Sequence, residues 1–161
     1  MSNIVVGMAD LNVGKDGDVL VTYGLGSCVG LVLYDAASKI GGMAHIMLPS
    51  SSINTDVKSR AKFADTAIEE VIKKIRDMGV PKSRLKAKIA GGASMFTASS
   101  GSPLIIKAGQ NNIDAVTKIL AKEGIPIIAK DVGGNKGRTI KFDMSNGQLS
   151  INMVGQSSKI I

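Results

Sequence analysis

The sequence predicts an α+β fold in which packed, sandwich-like β-sheets are flanked by two long helices. Three observations carry that prediction. Short runs rich in β-branched residues dominate the chain, two segments show an apolar stripe of helical period, and Asn146-Gly147 between the last two runs marks a hairpin. With 161 residues the chain has room for a single domain, 1–161, around one core of ordinary size.

Taken in order, the strand candidates are Asn3 to Ala9, Asp18 to Tyr23, Cys28 to Tyr34, Ile40 to Leu48, Leu85 to Ala90, Pro126 to Val132, Thr139 to Met144 and Gln148 to Met153. Asn-Gly tolerates the positive φ of a type I′ turn, so the last two should pair through it. The first helix is expected over Asp56 to Met78, where Ala64, Ile68, Val71, Ile72 and Ile75 fall on one stripe and Gly79 then Pro81 stop it. Burying those side chains contributes roughly 10 kcal/mol before conformational entropy is subtracted. The second is expected from Asn112 to Lys122, with Ile113, Val116, Ile119 and Leu120 inward and Gly124 as its stop. A polar loop runs from Thr97 to Ser102. So many strands imply two sheets rather than one.

Composition narrows the function. Hydrophobic residues at 44% against 20% charged describe a globular protein, and aromatics at 3% with no Trp leave Val, Ile, Leu, Met and Ala to build the core. A net charge of +7 favours an acidic partner. The basic residues are scattered and almost without aromatics to stack on bases, which points to a protein surface and away from nucleic acid. One cysteine forms no internal disulfide, and one Cys with one His does not complete a structural zinc site, so no metal or organic cofactor is expected. No signal-peptide pattern and no run of about 18 apolar residues occurs, so a cytoplasmic protein without membrane insertion is expected.

Cys28 follows Gly24-Leu25-Gly26-Ser27, a tight turn between two strand candidates where backbone can approach a ligand closely. The N–H groups around Gly26, Ser27 and Cys28 are placed to hold an oxyanion. His45 is the single histidine, in the apolar run Met43-Ala44-His45-Ile46-Met47. If Ala36-Ala37 closes a hairpin, Tyr34 pairs with Lys39 and Cys28 falls directly opposite His45, with Cβ atoms about 4.5–5.5 Å apart. A longer turn shifts that register. A Cys–His pair needs a third group to set the imidazole tautomer, and Asp18, Thr22 and Asp35 are near in sequence. Thr22, at the end of the preceding strand, lies across the glycine turn. The other glycine-rich stretches, Gly91-Gly92-Ala93-Ser94 and Gly133-Gly134-Asn135-Lys136, lack a Walker ending, and Gly24-Leu25-Gly26 lacks dinucleotide spacing; all read as tight turns.

Thr22-Tyr23-Gly24-Leu25-Gly26-Ser27-Cys28-Val29, followed by Met43-Ala44-His45-Ile46-Met47-Leu48-Pro49, resembles the paired signature of the CheD chemoreceptor deamidases. The likeness continues through Lys62-Phe63-Ala64-Asp65, Lys88 to Phe96 and Gly133-Gly134-Asn135. It implies Cys28 as nucleophile, His45 as base and Thr22 as the residue orienting it, on a fold similar to that of cytotoxic-necrotizing-factor-type cysteine hydrolases. It further implies hydrolysis of receptor glutamine to glutamate through a Cys28 thioester, with glutamate methyl-ester hydrolysis as a second activity. Ser94 and Asn135 become candidate contacts for the substrate carboxamide. Methyl-accepting chemotaxis receptors are the implied substrate and a CheC-type phosphatase the implied regulatory partner; a non-catalytic module regulating that phosphatase is the alternative. One departure is Asn111, where the family commonly has Arg.

Overall fold

The computed structural model describes residues 2–53, 59–95 and 107–161. In chain order the elements are β1 (Ser2–Val5), β2 (Leu11–Gly14), β3 (Asp18–Leu25), β4 (Val29–Asp35), β5 (Ile40–Ile46), α1 (Ala64–Asp77), β6 (Lys86–Gly91), α2 (Ala108–Glu123), β7 (Ile127–Val132), β8 (Arg138–Asp143), β9 (Gln148–Met153) and β10 (Lys159–Ile160). The strands form two mixed sheets, an outer one in the order β1-β3-β8-β9-β10 and a middle one in the order β2-β5-β4-β6-β7.

Alternation along β4 and β5 explains the layering. Val29, Leu31 and Leu33 of β4, with Ala44 and Ile46 of β5, pack against Ile68, Val71 and Ile75 of α1 and Val116 and Leu120 of α2. The residues between them, Val32 and Met43, point the other way and join Leu20, Ile140 and Phe142 of the outer sheet in a second cluster. Two buried faces on one sheet require near-continuous apolar strands, and β4 is one.

The expected stripe of α1 is buried at Ala64, Ile68, Val71, Ile72 and Ile75. The helix begins at Ala64, because Phe63 is extended, fully buried and bridged to Leu48; the expected start at Asp56 lies outside the described residues. Gly79 takes φ +97° where the helix stops. α2 starts at Ala108, earlier than expected, and ends as expected at Gly124, in the left-handed region. The Thr97 to Ser102 loop lies outside the described residues.

Two turns differ from expectation. The β4–β5 hairpin pairs Asp35 with Ile40 and Gly30 with His45, so its loop spans residues 36–39 and the register is two residues away from the one that puts Cys28 opposite His45. The Asp35 carboxylate is the cause: it accepts from Ser38 Oγ at 2.6 Å and from the Ser38 and Ala37 N–H groups, and the chain closes only after Lys39 turns through φ +57°. At the other hairpin, Met144 to Gly147 separate Asp143 from Gln148, and Gly147 takes φ +74° while Asn146 keeps negative φ. It is a four-residue loop, not a two-residue type I′ turn.

Candidate active site

Thr22, Cys28 and His45 converge between the middle and outer sheets. β3 carries an irregularity between Thr22 and Leu25, with Gly24 at φ +68°, pairs with β8 once more at Leu25, and the chain then crosses to the start of β4 in the middle sheet. Gly30 is needed at the crossing: a Cβ there would lie 2.5 Å from Ile140 Cδ1. Without a side chain at Gly30 the sheets approach closely enough for Thr22, the β3 partner of Ile140, to reach His45 on β5.

Thr22 Oγ1 lies 2.8 Å from His45 Nδ1 and 2.7 Å from the Val6 carbonyl oxygen, and both side chains are buried. These two contacts fix a tautomer. A hydroxyl has one proton and a carbonyl none to give, so the Thr22 proton goes to Val6 and Nδ1–H must donate to Oγ1. The lone pair is thereby left on Nε2, which has no hydrogen-bond partner among the described residues, Cys28 Sγ included. Burial lowers the His45 pKa from its ordinary value and so favours the neutral ring.

Cys28 lies one residue before β4 and belongs to the cluster between the sheets, with Leu25, Val32, Met43 and Ala90. Strand alternation puts it on the same face as Gly30, and His45 pairs with Gly30. Cys28 and His45 are therefore diagonal neighbours, about 7–8 Å apart at Cα, rather than direct partners. An imidazole ring and a thiol side chain can span that gap. Burial raises the Cys28 pKa, opposed by a hydrogen bond from its own backbone N–H. At neutral pH the pair rests as thiol and imidazole.

Backbone contacts hold the nucleophile turn. Gly92 N–H donates to Cys28 O at 2.8 Å and Ala93 N–H to Gly26 O at 2.9 Å. Gly91 is required, since a Cβ on it would sit 2.3 Å from Cys28 O. The third glycine-rich turn is tied on in the same way, by Gly133 N–H to Gly91 O at 2.9 Å and Ser94 N–H to Gly134 O at 2.8 Å. The segments carrying Gly26, Ser27, Ser94 and Asn135 thus meet at one end of the sheets, with Asn135 exposed. No backbone or side-chain acceptor among the described residues takes the Ser27 or Cys28 N–H, apart from the Cys28 thiol itself.

Asp35 and Asp18 stand elsewhere. Asp35 is five residues along β4 from Gly30, about 17 Å away at strand rise, and Asp18 accepts from the Lys15 N–H. Two contributors were missed in the sequence. Val6 had no signal as an acceptor, and Asn112, fully buried on α2, donates from Nδ2 to Ser27 O at 2.9 Å and Met47 O at 3.0 Å. Among the described residues no cluster of His, Cys, Asp and Glu could hold a metal ion, and no helix is long and apolar enough to cross a membrane.

Comparison with known proteins gives one family. The family model CheD, described as chemotactic sensory transduction, matches residues 47–153. A Clostridium kluyveri protein named "Probable chemoreceptor glutamine deamidase CheD" is 50% identical over 161 residues, covering 100% of this chain and 99% of its own. Proteins of the same name from Clostridium novyi and Clostridium botulinum are 49% identical over 158 residues and 48% over 161, covering 98% and 100% of this chain and 97% and 99% of theirs. Among solved structures, a Neisseria meningitidis protein of the family model DUF152 superposes with a TM-score of 0.48 at 11% identity, over 84% of this chain and 63% of its own.

Proposed function

The chain belongs to the CheD family and is a chemoreceptor glutamine deamidase, and we propose that Cys28 is its nucleophile, His45 its general base and Thr22 the residue that orients His45. One observation carries the assignment: the Val6–Thr22–His45 chain of hydrogen bonds commits the imidazole proton to Nδ1 and leaves Nε2 as a bare acceptor between the sheets, where Cys28 also lies.

As the resting pair is neutral, His45 Nε2 takes the thiol proton while Cys28 Sγ attacks the side-chain carboxamide carbon of a receptor glutamine. The Ser27 and Cys28 N–H groups, next to Gly26, receive the oxygen as it gains charge. The tetrahedral adduct collapses with proton transfer from His45 to nitrogen, so ammonia leaves and a thioester remains. His45 then takes a proton from water, hydroxide adds to the thioester carbon, and glutamate departs as the thiol is restored. In this reading Ser94 and Asn135, whose turns are tied to the nucleophile turn by backbone hydrogen bonds, contact the carboxamide. A glutamate methyl ester would pass through the same thioester and release methanol, which makes methylesterase activity part of this reading. A CheC-type phosphatase as regulator and the cytoplasm as compartment also belong to it, on the sequence resemblance.

The test is mass spectrometry of a receptor cytoplasmic fragment incubated with the purified protein. We expect glutamine-to-glutamate conversion with ammonia release, lost on alkylation of Cys28. Binding of the fragment without conversion would instead support a module that regulates by contact.

A further inference from the structure

We propose that Asn112 is a positioning residue for this reaction: its side-chain amide staples the nucleophile turn to the strand that carries the base. The inference rests on the reading of Cys28 and His45 given above.

The β4–β5 ladder ends at the pair Val29 and Ile46. One step further, Cys28 and Met47 fall where an antiparallel ladder makes no rung, and the next rung, between Ser27 and Leu48, is not formed because the Leu48 N–H is committed to Lys62 O at 3.0 Å. At this gap the two Nδ2 protons of Asn112 tie the two chain segments together, one going to Ser27 O at 2.9 Å and the other to Met47 O at 3.0 Å. Ser27 immediately precedes the nucleophile, and Met47 lies two residues after the base. The amide cannot be turned round, because the other orientation would set Oδ1 against two carbonyl oxygens.

Asn112 is itself held rigidly. It is fully buried, one turn into α2, and Gly109 brings that helix so close to the Gly92-Ala93 turn that a Cβ at 109 would meet Gly92 O and Ala93 O at 2.5 Å each. The same turn donates to Cys28 O and Gly26 O. Helix α2 thus sets the nucleophile turn from both sides, while its amide alone reaches across to the His45 strand. Oδ1 has no partner among the described residues, so an apolar residue at 112 would relieve an unmatched buried acceptor. Asn is explained by what Nδ2 holds.

The experiment compares Asn112→Ala and Asn112→Ser in the full chain. The readouts are kcat and KM on a receptor fragment, and the pH dependence of Cys28 alkylation by iodoacetamide, which needs no substrate. Loss of the staple lets the thiol drift from Nε2, and a misplacement near 1 Å costs on the order of 10²-fold. We expect kcat to fall about that far with KM changed less than about threefold, and the alkylation profile to shift toward that of His45→Ala. Folded variants with native kcat and the native alkylation profile overturn the proposal. So does failure of both to fold, which would make Asn112 a residue of the core alone. His45→Ala separates the two claims: if it leaves the alkylation profile unchanged, the Cys28–His45 reading has failed; if it shifts the profile and the Asn112 variants do not, only the staple has.

Discussion

The β4–β5 hairpin is finished differently at its two ends. At the closed end the Asp35 carboxylate is buried, yet Ser38 Oγ, the Ser38 and Ala37 N–H groups and the Arg84 guanidinium all donate to it. Burial alone would raise its pKa; these partners more than offset that and hold it below the ordinary value. At the open end His45 and Asn112 are as deeply buried, and each keeps an atom, Nε2 and Oδ1, with no partner among the described residues. An unmatched buried polar atom costs about 1–3 kcal/mol. One hairpin therefore places a satisfied charge where it stabilises a turn and an unsatisfied lone pair where it can take a proton.

The largest effect expected from this contrast is a double dissociation. Cys28→Ala should lower glutamine hydrolysis roughly 10³-fold or more and leave the melting temperature near native, since one sulfur is lost from a packed site. Asp35→Ala should do the reverse, costing about 1–3 kcal/mol in urea unfolding with activity of the folded protein within about threefold. Ammonia-release rates and unfolding curves on the two variants settle it. An inactive but fully folded Asp35→Ala would show that the closed end takes part in the chemistry and would end the division of the hairpin into a structural and a chemical end.

A smaller effect tests the tautomer. Thr22→Val keeps the shape but removes the acceptor for Nδ1–H and the donor to Val6 O, so the ring is free to move its proton to Nε2, where it no longer serves as a base. We expect kcat to fall about 10–10²-fold, less than for Cys28→Ala, with KM little changed and stability lower by about 1–3 kcal/mol. Thr22→Ser should recover most of both. If Thr22→Val cost stability and left kcat untouched, the hydroxyl would be a packing group and the tautomer argument would fall.

How much of this was legible depended on which interaction decides each feature. Thr22 and Cys28 stand in one contiguous signature and His45 in a second, so local sequence is enough to propose them. The hairpin register is set by the Asp35 side chain and by Lys39 entering the left-handed region, so the shortest turn gave the wrong pairing by two residues; an Asp followed three residues later by Ser was the available signal. The strands β2 and β10 are too short to show a period. Asn112 was missed for a correctable reason. It lies four residues before Val116 and eight before Leu120, on the apolar stripe, and starting the helix a turn earlier places it inside. The Val6 carbonyl is a backbone group, and no sequence pattern announces its role.

The smallest effect is a pH dependence of stability that separates the two ends. The folded His45 pKa is depressed by burial, so above its ordinary value of 6.5 both folded and unfolded rings are neutral and the stabilisation is complete; as pH falls through 6.5 the unfolded chain takes up the proton first and stability is lost until the folded pKa is passed. Cys28 runs the other way. Its folded pKa is raised by burial, so stability is complete below 9.0 and is lost above it, where the unfolded thiol ionises first. Asp35, held low by its partners, contributes fully above 3.8 and loses its contribution as pH falls through its folded pKa. Urea midpoints should therefore slope downward on the acid side of 6.5, well before the carboxylate window, and again above 9.0. Tyr34, whose pKa is also raised, and Lys88, whose pKa is lowered, both by burial first, titrate in the alkaline region too. The Cys28 share is then the difference between wild type and Cys28→Ala above 9.0, and the His45 share the difference between wild type and His45→Ala on the acid side of 6.5. If His45→Ala keeps the acid slope unchanged, His45 is not held as a buried neutral base, and the open end of the hairpin loses the property that distinguishes it from the closed one.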